Sequence, residues 1–113
     1  MYLAGSVTFS PPDDPFAVSL ESYRRDMDIN TTGAYVAAQQ AVLSFKELPP
    51  TASRSFFFTG NICNFVALPG FMDQAMGKSA SAHMMMAAAA AYKEKGFKYV
   101  QLIFEYHHLR CYL

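Results

Sequence analysis

An unbroken apolar stretch near the middle of the chain constrains its fold more than any other feature. Between Arg54 and Gly60 the sequence places three phenylalanines in a row, Phe56 to Phe58, followed by a threonine. A short apolar run rich in aromatic residues predicts a strand, and the lack of polar alternation predicts burial on both faces. Strands of this kind are typical of parallel sheets that helices cover. The run therefore predicts an α/β fold.

A long helix is predicted before this strand. Its N-cap is Ser19, and apolar or small residues recur at helical spacing as far as Phe45. Pro49-Pro50 ends it, and we expect a kink or looser turn at residues 31–33, where helix propensity is poor. The second half is uncharged and should be covered on more than one side. The first half carries charges that we place on an outer face: Glu21, Arg24, Arg25, Asp26 and Asp28.

A second long helix is predicted after the strand, from about Asp73 to Lys95, with Gly96 as its C′ residue. Two further strands are predicted, at Tyr2–Phe9 and at Phe97–Phe104. Strands that alternate with helices imply a parallel sheet with helices on its faces. We expect residues 61–71 to form a packed loop.

Charge and cysteine content exclude several classes of function. Nine basic and nine acidic residues give a formal charge of zero, and no basic stripe forms, so nucleic acid is not an expected partner. The start of the chain has no basic region typical of a secretion signal, and no segment is suited to cross a membrane. The two cysteines form no CxxC pair. We therefore expect a cytoplasmic protein with free thiols.

Four short segments carry the most specific signal because of their order and spacing. They are Leu3-Ala4-Gly5, Asp28-Ile29-Asn30-Thr31-Thr32-Gly33, Phe57-Phe58-Thr59-Gly60-Asn61 and Gln74-Ala75-Met76-Gly77-Lys78-Ser79-Ala80. Together they resemble the middle of a short-chain dehydrogenase/reductase. The resemblance implies a three-layer, Rossmann-like parallel sheet, present only as its middle part with about three strands and two long helices.

The same resemblance divides the chain. Residues 1–105 would be a partial NAD(P)-binding domain, and residues 106–113 a C-terminal tail unlike the family. The glycines are too far apart for a phosphate-binding loop of the G-x-G-x-x-G type. His107, His108 and Cys111 have the chemistry of metal ligands but no partner cluster, so no metal site is predicted.

Specific site roles follow from the resemblance. Lys78 would hydrogen-bond the nicotinamide ribose, and Asn30 would support a proton-relay water. Asn61 occupies the position of the catalytic serine, and Gln74 that of the catalytic tyrosine. The remaining residues expected beside the cofactor are Ala4, Gly5 and Thr59.

Gln74 is the main departure from the family's chemistry. A tyrosine, with an ordinary pKa near ~10, donates a proton at neutral pH when a lysine one helical turn away stabilises its phenolate. An amide releases no proton at any working pH. By resemblance we expect an NAD(P)-dependent oxidoreductase of a small carbonyl or alcohol substrate, impaired or inactive as this chain.

Two alternatives stay open, together with the choice between NAD and NADP. The chain could be a non-catalytic module that self-associates or pairs with a full-length relative through its two apolar helices, which correspond to the dimer interface of the family. It could also be a gene-model fragment without a function of its own. We expect a homo-oligomer, since the uncharged helix faces need a partner.

Overall fold

The computed structural model describes residues 1–105 and 108–112, and the side chains of residues 1–103. Within these residues there are three α-helices and three strands, with a π-helical turn between the first two helices and short 3₁₀ turns at Ile62–Asn64 and Lys93–Lys95. The elements are α1 (Leu20–Met27), the π turn (Asp28–Thr32), α2 (Gly33–Glu47), β1 (Ser55–Thr59), α3 (Met72–Ala91), β2 (Lys98–Glu105) and β3 (His108–Tyr112).

The predicted first helix is confirmed, including its ends. The Ser19 hydroxyl accepts a hydrogen bond from the Ser22 N–H at 3.1 Å, so Ser19 is the N-cap. The looser turn expected at residues 31–33 overlaps the π turn at Thr31 and Thr32, whereas Gly33 begins α2, and the π turn joins α1 to α2 without interrupting the helical backbone. Leu48 is extended (φ −78°, ψ 144°) because it precedes Pro49, and the helix ends there.

The predicted second helix is also present, with a shorter α-helical part. α3 ends at Ala91 rather than at Lys95, and residues 93–95 form a 3₁₀ turn instead. Gly96 follows it in the left-handed region at φ 68°, as expected of a residue that stops a helix. Arg54 and Lys98 then bring β1 and β2 together, since the Lys98 N–H donates to the Arg54 carbonyl at 2.8 Å.

The sheet has the order β1-β2-β3. β1 and β2 are parallel, in register from Ser55 opposite Lys98 to Thr59 opposite Leu102, as the sequence predicts. β3 is antiparallel to β2 and corrects the sequence prediction, which gives residues 106–113 as a tail. Tyr106, His107 and Leu113 of that predicted tail lie outside the described residues.

The prediction of a strand over Tyr2–Phe9 is wrong. This segment forms only a parallel bridge between Tyr2 and Phe58, in which the Tyr2 N–H donates to the Phe57 carbonyl at 2.8 Å. Beyond this bridge the backbone bonds to side chains of the helices instead of to a neighbouring strand. These hydrogen bonds between the N-terminal backbone and helix side chains form part of the site described below.

The core lies between the sheet and one layer of helices. Phe56 and Phe58 of β1 are buried against α2 and α3, while Phe57 on the opposite face is only half-buried. Burial of β1 on both faces is therefore wrong for this part of the chain. In residues 1–105 and 108–112 no helix covers the second face, so the fold is the α/β sheet with one of its two expected helical layers.

None of the helices in the described residues is long and apolar enough to cross a membrane. Within the same part of the chain, no three His, Cys, Asp or Glu side chains are grouped so as to hold a metal ion. Cys63 is a buried free thiol.

Candidate functional site

Lys78 lies at the centre of the candidate site. Its side chain leaves the second turn of α3 and is 4% exposed. Nζ donates to the carbonyl of Ala4 at 3.0 Å and to that of Thr59 at 3.1 Å, and lies 4.9 Å from the centre of the Phe58 ring. The lysine thus joins α3 to the N-terminal segment and to the end of β1. Sequence reasoning placed Lys78, Ala4 and Thr59 in one site, and the structure brings them together.

The Lys78 ammonium carries a charge that its surroundings do not neutralise. Burial lowers the pKa of Lys78, because removal from water disfavours the charged form. No carboxylate lies within ion-pair distance of it in the part of the chain whose side chains are described. Two carbonyl oxygens accept two of its three N–H groups. One N–H therefore has no acceptor among the described residues.

Asn30, in the π turn, is completely buried and holds the N-terminal segment beside Lys78. Its Nδ2 donates to the Ser6 carbonyl at 2.7 Å, and its Oδ1 accepts from the Ser6 N–H at 3.1 Å. The amide therefore pairs with both backbone groups of Ser6, as a neighbouring strand would. The Asn30 carbonyl accepts from the Ser81 hydroxyl at 2.6 Å, which ties the π turn to α3.

Gly5 lies beside Asn30 and Lys78. A Cβ at this position would lie 3.6 Å from both Asn30 Oδ1 and Lys78 Nζ, and Gly5 itself is exposed. The exposed backbone of Gly5 therefore lies beside both Asn30 and Lys78. The grouping of Ala4 and Gly5 with Lys78 was expected from the sequence.

Asn61 and Gln74, which we predict to occupy the positions of the family's serine and tyrosine, are hydrogen-bonded to each other. Asn61 Nδ2 donates to Gln74 Oε1 at 2.8 Å. The orientation of both amides follows from the backbone: Asn61 Oδ1 accepts from the Cys63 N–H at 3.0 Å as the cap of the 3₁₀ turn, so its NH₂ faces Gln74. Gln74 Oε1 is occupied, and its Nε2 presents N–H donors. The pair can hold an oxygen but has no proton to transfer.

An apolar cavity of about 610 Å³ is lined by Cys63 and Ala75, which are near the two amides in sequence, but not by Asn61 or Gln74 themselves. It is formed by the loop after β1 and the first turns of α3, and its volume is in the range typical of small-molecule pockets. Among the side chains that line it are Cys63, Phe65, Leu68, Met72, Ala75 and Met76. Burial raises the pKa of the Cys63 thiol, which makes it a poor nucleophile at neutral pH.

Two acidic residues near the site were missed by sequence reasoning. Asp26 was placed on a charged outer face, and this is wrong: it is completely buried. Asp73 at the start of α3 is 1% exposed. Each accepts hydrogen bonds from the segment that carries Ser6 and Thr8. One signal was available, because Asp26 is four residues before Asn30 and hence on the same helix face.

No protein-family model matches the chain. Over 97 residues it is 50% identical to the short chain dehydrogenase/reductase dmxR12 of Cryptosporiopsis sp. (strain 8999). The match covers 86% of this chain and 39% of that protein.

Solved structures share the fold. A 4-hydroxyisoleucine dehydrogenase complexed with NADH superposes with a TM-score of 0.77 over 88% of this chain and 42% of its own, at 12% identity. A short-chain dehydrogenase from Rhodopseudomonas palustris has a TM-score of 0.77 over 93% of this chain and 47% of its own, at 17% identity. One from Bacillus anthracis str. 'Ames Ancestor' has a TM-score of 0.75 over 88% and 40%, at 17% identity. The chain spans less than half the length of each of these proteins.

Proposed function

Because the chain is a partial, atypical relative of the short-chain dehydrogenase/reductase family, we propose that the corner between α3 and β1 is the nicotinamide side of an NAD(P)-dependent oxidoreductase site. The substrate class is a carbonyl or alcohol. As this chain stands, we propose that the activity is impaired or absent, since Gln74 occupies the position of the proton donor. The proposal covers NAD and NADP equally.

The environment of Lys78 is the single observation that carries this proposal. A buried ammonium beside the exposed Gly5, with one N–H that has no acceptor among the described residues, suits a hydroxyl-rich ligand such as the ribose of a dinucleotide. Lys78, Ala4, Gly5 and Thr59 would hold that part of the cofactor. The 4-hydroxyisoleucine dehydrogenase with a similar fold is complexed with NADH, which supports the choice of ligand.

The cofactor would supply or accept the hydride, and this chain would position the substrate oxygen. Gln74 Nε2 can donate a hydrogen bond to a carbonyl oxygen, with Asn61 fixing the amide. Neither amide can protonate the alkoxide that forms when a carbonyl is reduced, so a proton would have to come from water. Loss of a positioned general acid typically lowers the rate by about 10²–10⁴-fold. The apolar cavity supports a substrate with an apolar body.

Restoring the proton donor tests this assignment. In Gln74→Tyr the phenol would lie one helical turn before Lys78, whose charge stabilises the phenolate. We expect reduction of a carbonyl panel with NADPH or NADH to be about 10²-fold faster than in the unsubstituted chain. Gln40→Tyr, which replaces an exposed amide on α2, is the matched control and should leave the rate unchanged. If Gln74→Tyr binds cofactor and gains no activity, the assignment of Lys78 is wrong.

A second function, a non-catalytic pairing module, is favoured by a separate observation. The uncharged faces of α2 and α3 leave large apolar side chains in solvent: Tyr35, Val36, Leu43 and Met86 are 48–58% exposed. Such a surface suits a second copy of the chain or a full-length relative. Hydride transfer by Gln74→Tyr would favour the oxidoreductase site, whereas pairing without cofactor binding would favour the module.

A further inference from the structure

Two buried carboxyl groups meet beneath the N-terminal segment. Asp26 comes from α1 and Asp73 from the start of α3, and both are at most 1% exposed. Thr8 touches both: its hydroxyl donates to Asp26 Oδ2 at 2.6 Å, and its backbone N–H donates to Asp73 Oδ2 at 2.9 Å. The two acidic side chains therefore hold the same residue from two different helices.

The other hydrogen bonds of the pair come from neighbouring residues. Asp26 Oδ1 accepts from the Ser6 hydroxyl at 2.6 Å and from Arg25 Nε at 3.0 Å. Asp73 Oδ1 accepts from the Gln74 N–H at 2.6 Å. These bonds fix Asp26 to the segment and Asp73 to the residue at the proton-donor position.

The charges around the pair do not balance two carboxylates. From α1, Arg25 forms an ion pair with Asp26, and its side chain is 57% exposed. Tyr23, also on α1, lines a groove together with Asp73. On α3 the nearest cation along the helix is Lys78, whose ammonium is turned to the Ala4 and Thr59 carbonyls. The segment over residues 6–8 has no ionisable side chain. Among the side chains that the structure describes, one cation thus faces two buried carboxyl groups.

A single proton resolves this imbalance. Burial acts to raise the pKa of Asp26. Hydrogen bonds outweigh this effect and hold that pKa well below its usual range; they come from Asp73, Ser6, Thr8 and Arg25. Burial, with the hydrogen bond and charge of Asp26, raises the pKa of Asp73. The proton therefore belongs to the pair, with Asp26 as the carboxylate and Asp73 as the acid.

We propose that Asp26 and Asp73 share one proton and act together as positioning residues, which hold the Ser6–Thr8 segment in place for the Lys78 site. The link is short, since Ser6 also pairs with Asn30, and Ala4, two residues earlier, accepts from Lys78. That the segment serves a cofactor site rests on the function proposed above. The shared proton itself does not depend on that function.

The direction of the pH effect follows from the proton count. The folded chain retains a proton on Asp73 at pH values where the unfolded chain, with an ordinary carboxyl pKa near ~3.9, has lost it. Stability therefore falls as the pH rises above that value and Asp73 ionises. Two facing carboxylates would then repel each other and loosen the Ser6–Thr8 segment.

Carboxyl titration by ¹³C NMR of the 113-residue chain tests the pair directly, with or without cofactor binding. We expect the Asp73 carboxyl to titrate above the ordinary range, and Asp26→Asn to lower its midpoint by about one pH unit, a tenfold change in proton affinity. Asp13→Asn, which replaces an exposed aspartate, should leave the midpoint unchanged. An ordinary midpoint for Asp73 in the unsubstituted chain overturns the proposal even if the variants fail to fold.

The positioning role has its own readout. The backbone amide signals of Ser6 and Thr8 should shift with the midpoint of Asp73, and in Asp73→Asn this pH dependence should disappear. If the backbone amides of Ser6 and Thr8 do not respond while Asp73 titrates, the pair shares a proton but does not position the segment. The proposed positioning role is then wrong. Absence of cofactor binding in every variant would instead contradict the function proposed for Lys78.

Discussion

Gly77 allows α3 to approach the π turn closely. A Cβ at this position would lie 2.6 Å from Asn30 Cβ, a separation that side-chain rotation cannot relieve because both atoms are attached to the backbone. The Thr31 hydroxyl donates to the Gly77 carbonyl at 3.2 Å across the same contact. Glycine is therefore needed here for space, one residue before Lys78.

Gly77→Ala should destabilise the fold. Alanine gains up to about 1 kcal/mol of helix propensity over glycine, but overpacking of a tight contact costs about 1–3 kcal/mol. We expect a lower melting temperature by about 5 °C, measured by circular dichroism. Ser44→Ala, at an exposed position of α2, should be neutral or slightly stabilising. A Gly77→Ala variant as stable as the parent would mean that α3 can move away from Asn30 at little cost.

The sequence identifies residues of the site only where they belong to a local motif. Lys78, Asn30, Asn61 and Gln74 fall at recognisable spacings, and the structure brings Lys78 together with Ala4 and Thr59, and Asn61 with Gln74. The roles of these residues in binding and catalysis stay predictions. Asp26 and Asp73 could not be paired from sequence, because 47 positions separate them and burial of a charge depends on distant partners.

At the level of elements, the helices follow from local chemistry. Ser19 supplies a cap, Pro49 excludes further helix, and Gly96 adopts the left-handed region. A π turn over Asp28–Thr32 includes two of the three residues, 31–33, whose helix propensity is poor. Each of these signals acts within a few residues, which is why the ends of the helices could be predicted to within a few positions.

The strands depend on contacts that the sequence does not contain. The phenylalanine run is a strand parallel to β2, as its composition predicts. Tyr2–Phe9 has the composition of a strand, yet Asn30, Asp73 and Lys78 take its backbone groups. β3 pairs with β2 in the region assigned to a tail. Non-local hydrogen bonding decided both outcomes.

At the level of the whole molecule, the chain spans 39% of its 50% identical relative and 42–47% of two solved structures with the same fold. Its described sheet carries helices on one face, and α2 and α3 expose apolar side chains on the other side of that layer. A chain of this kind lowers its free energy by covering those side chains with a partner.

We therefore expect self-association at micromolar concentration, measured by size-exclusion chromatography with light scattering. Leu43→Glu places a charge on the exposed face of α2 and should shift the chain towards monomer. Phe16→Glu, at an 82% exposed residue outside the helices, should leave the assembly unchanged. A clean monomer of the unsubstituted chain would contradict the expectation.

Cofactor titration of a Lys78 variant tests the central claim most directly. Lys78→Met keeps the apolar stem and removes the ammonium, and Lys93→Met removes an exposed lysine as the matched control. Loss of a hydrogen bond from a charged group costs about 1.5–3 kcal/mol, or roughly 10- to 100-fold in Kd. We predict that NADPH binding, followed by fluorescence with folding checked by circular dichroism, weakens by that factor in Lys78→Met and is unchanged in Lys93→Met. Equal affinity in a folded Lys78→Met variant, or no binding by the parent chain, would contradict the account.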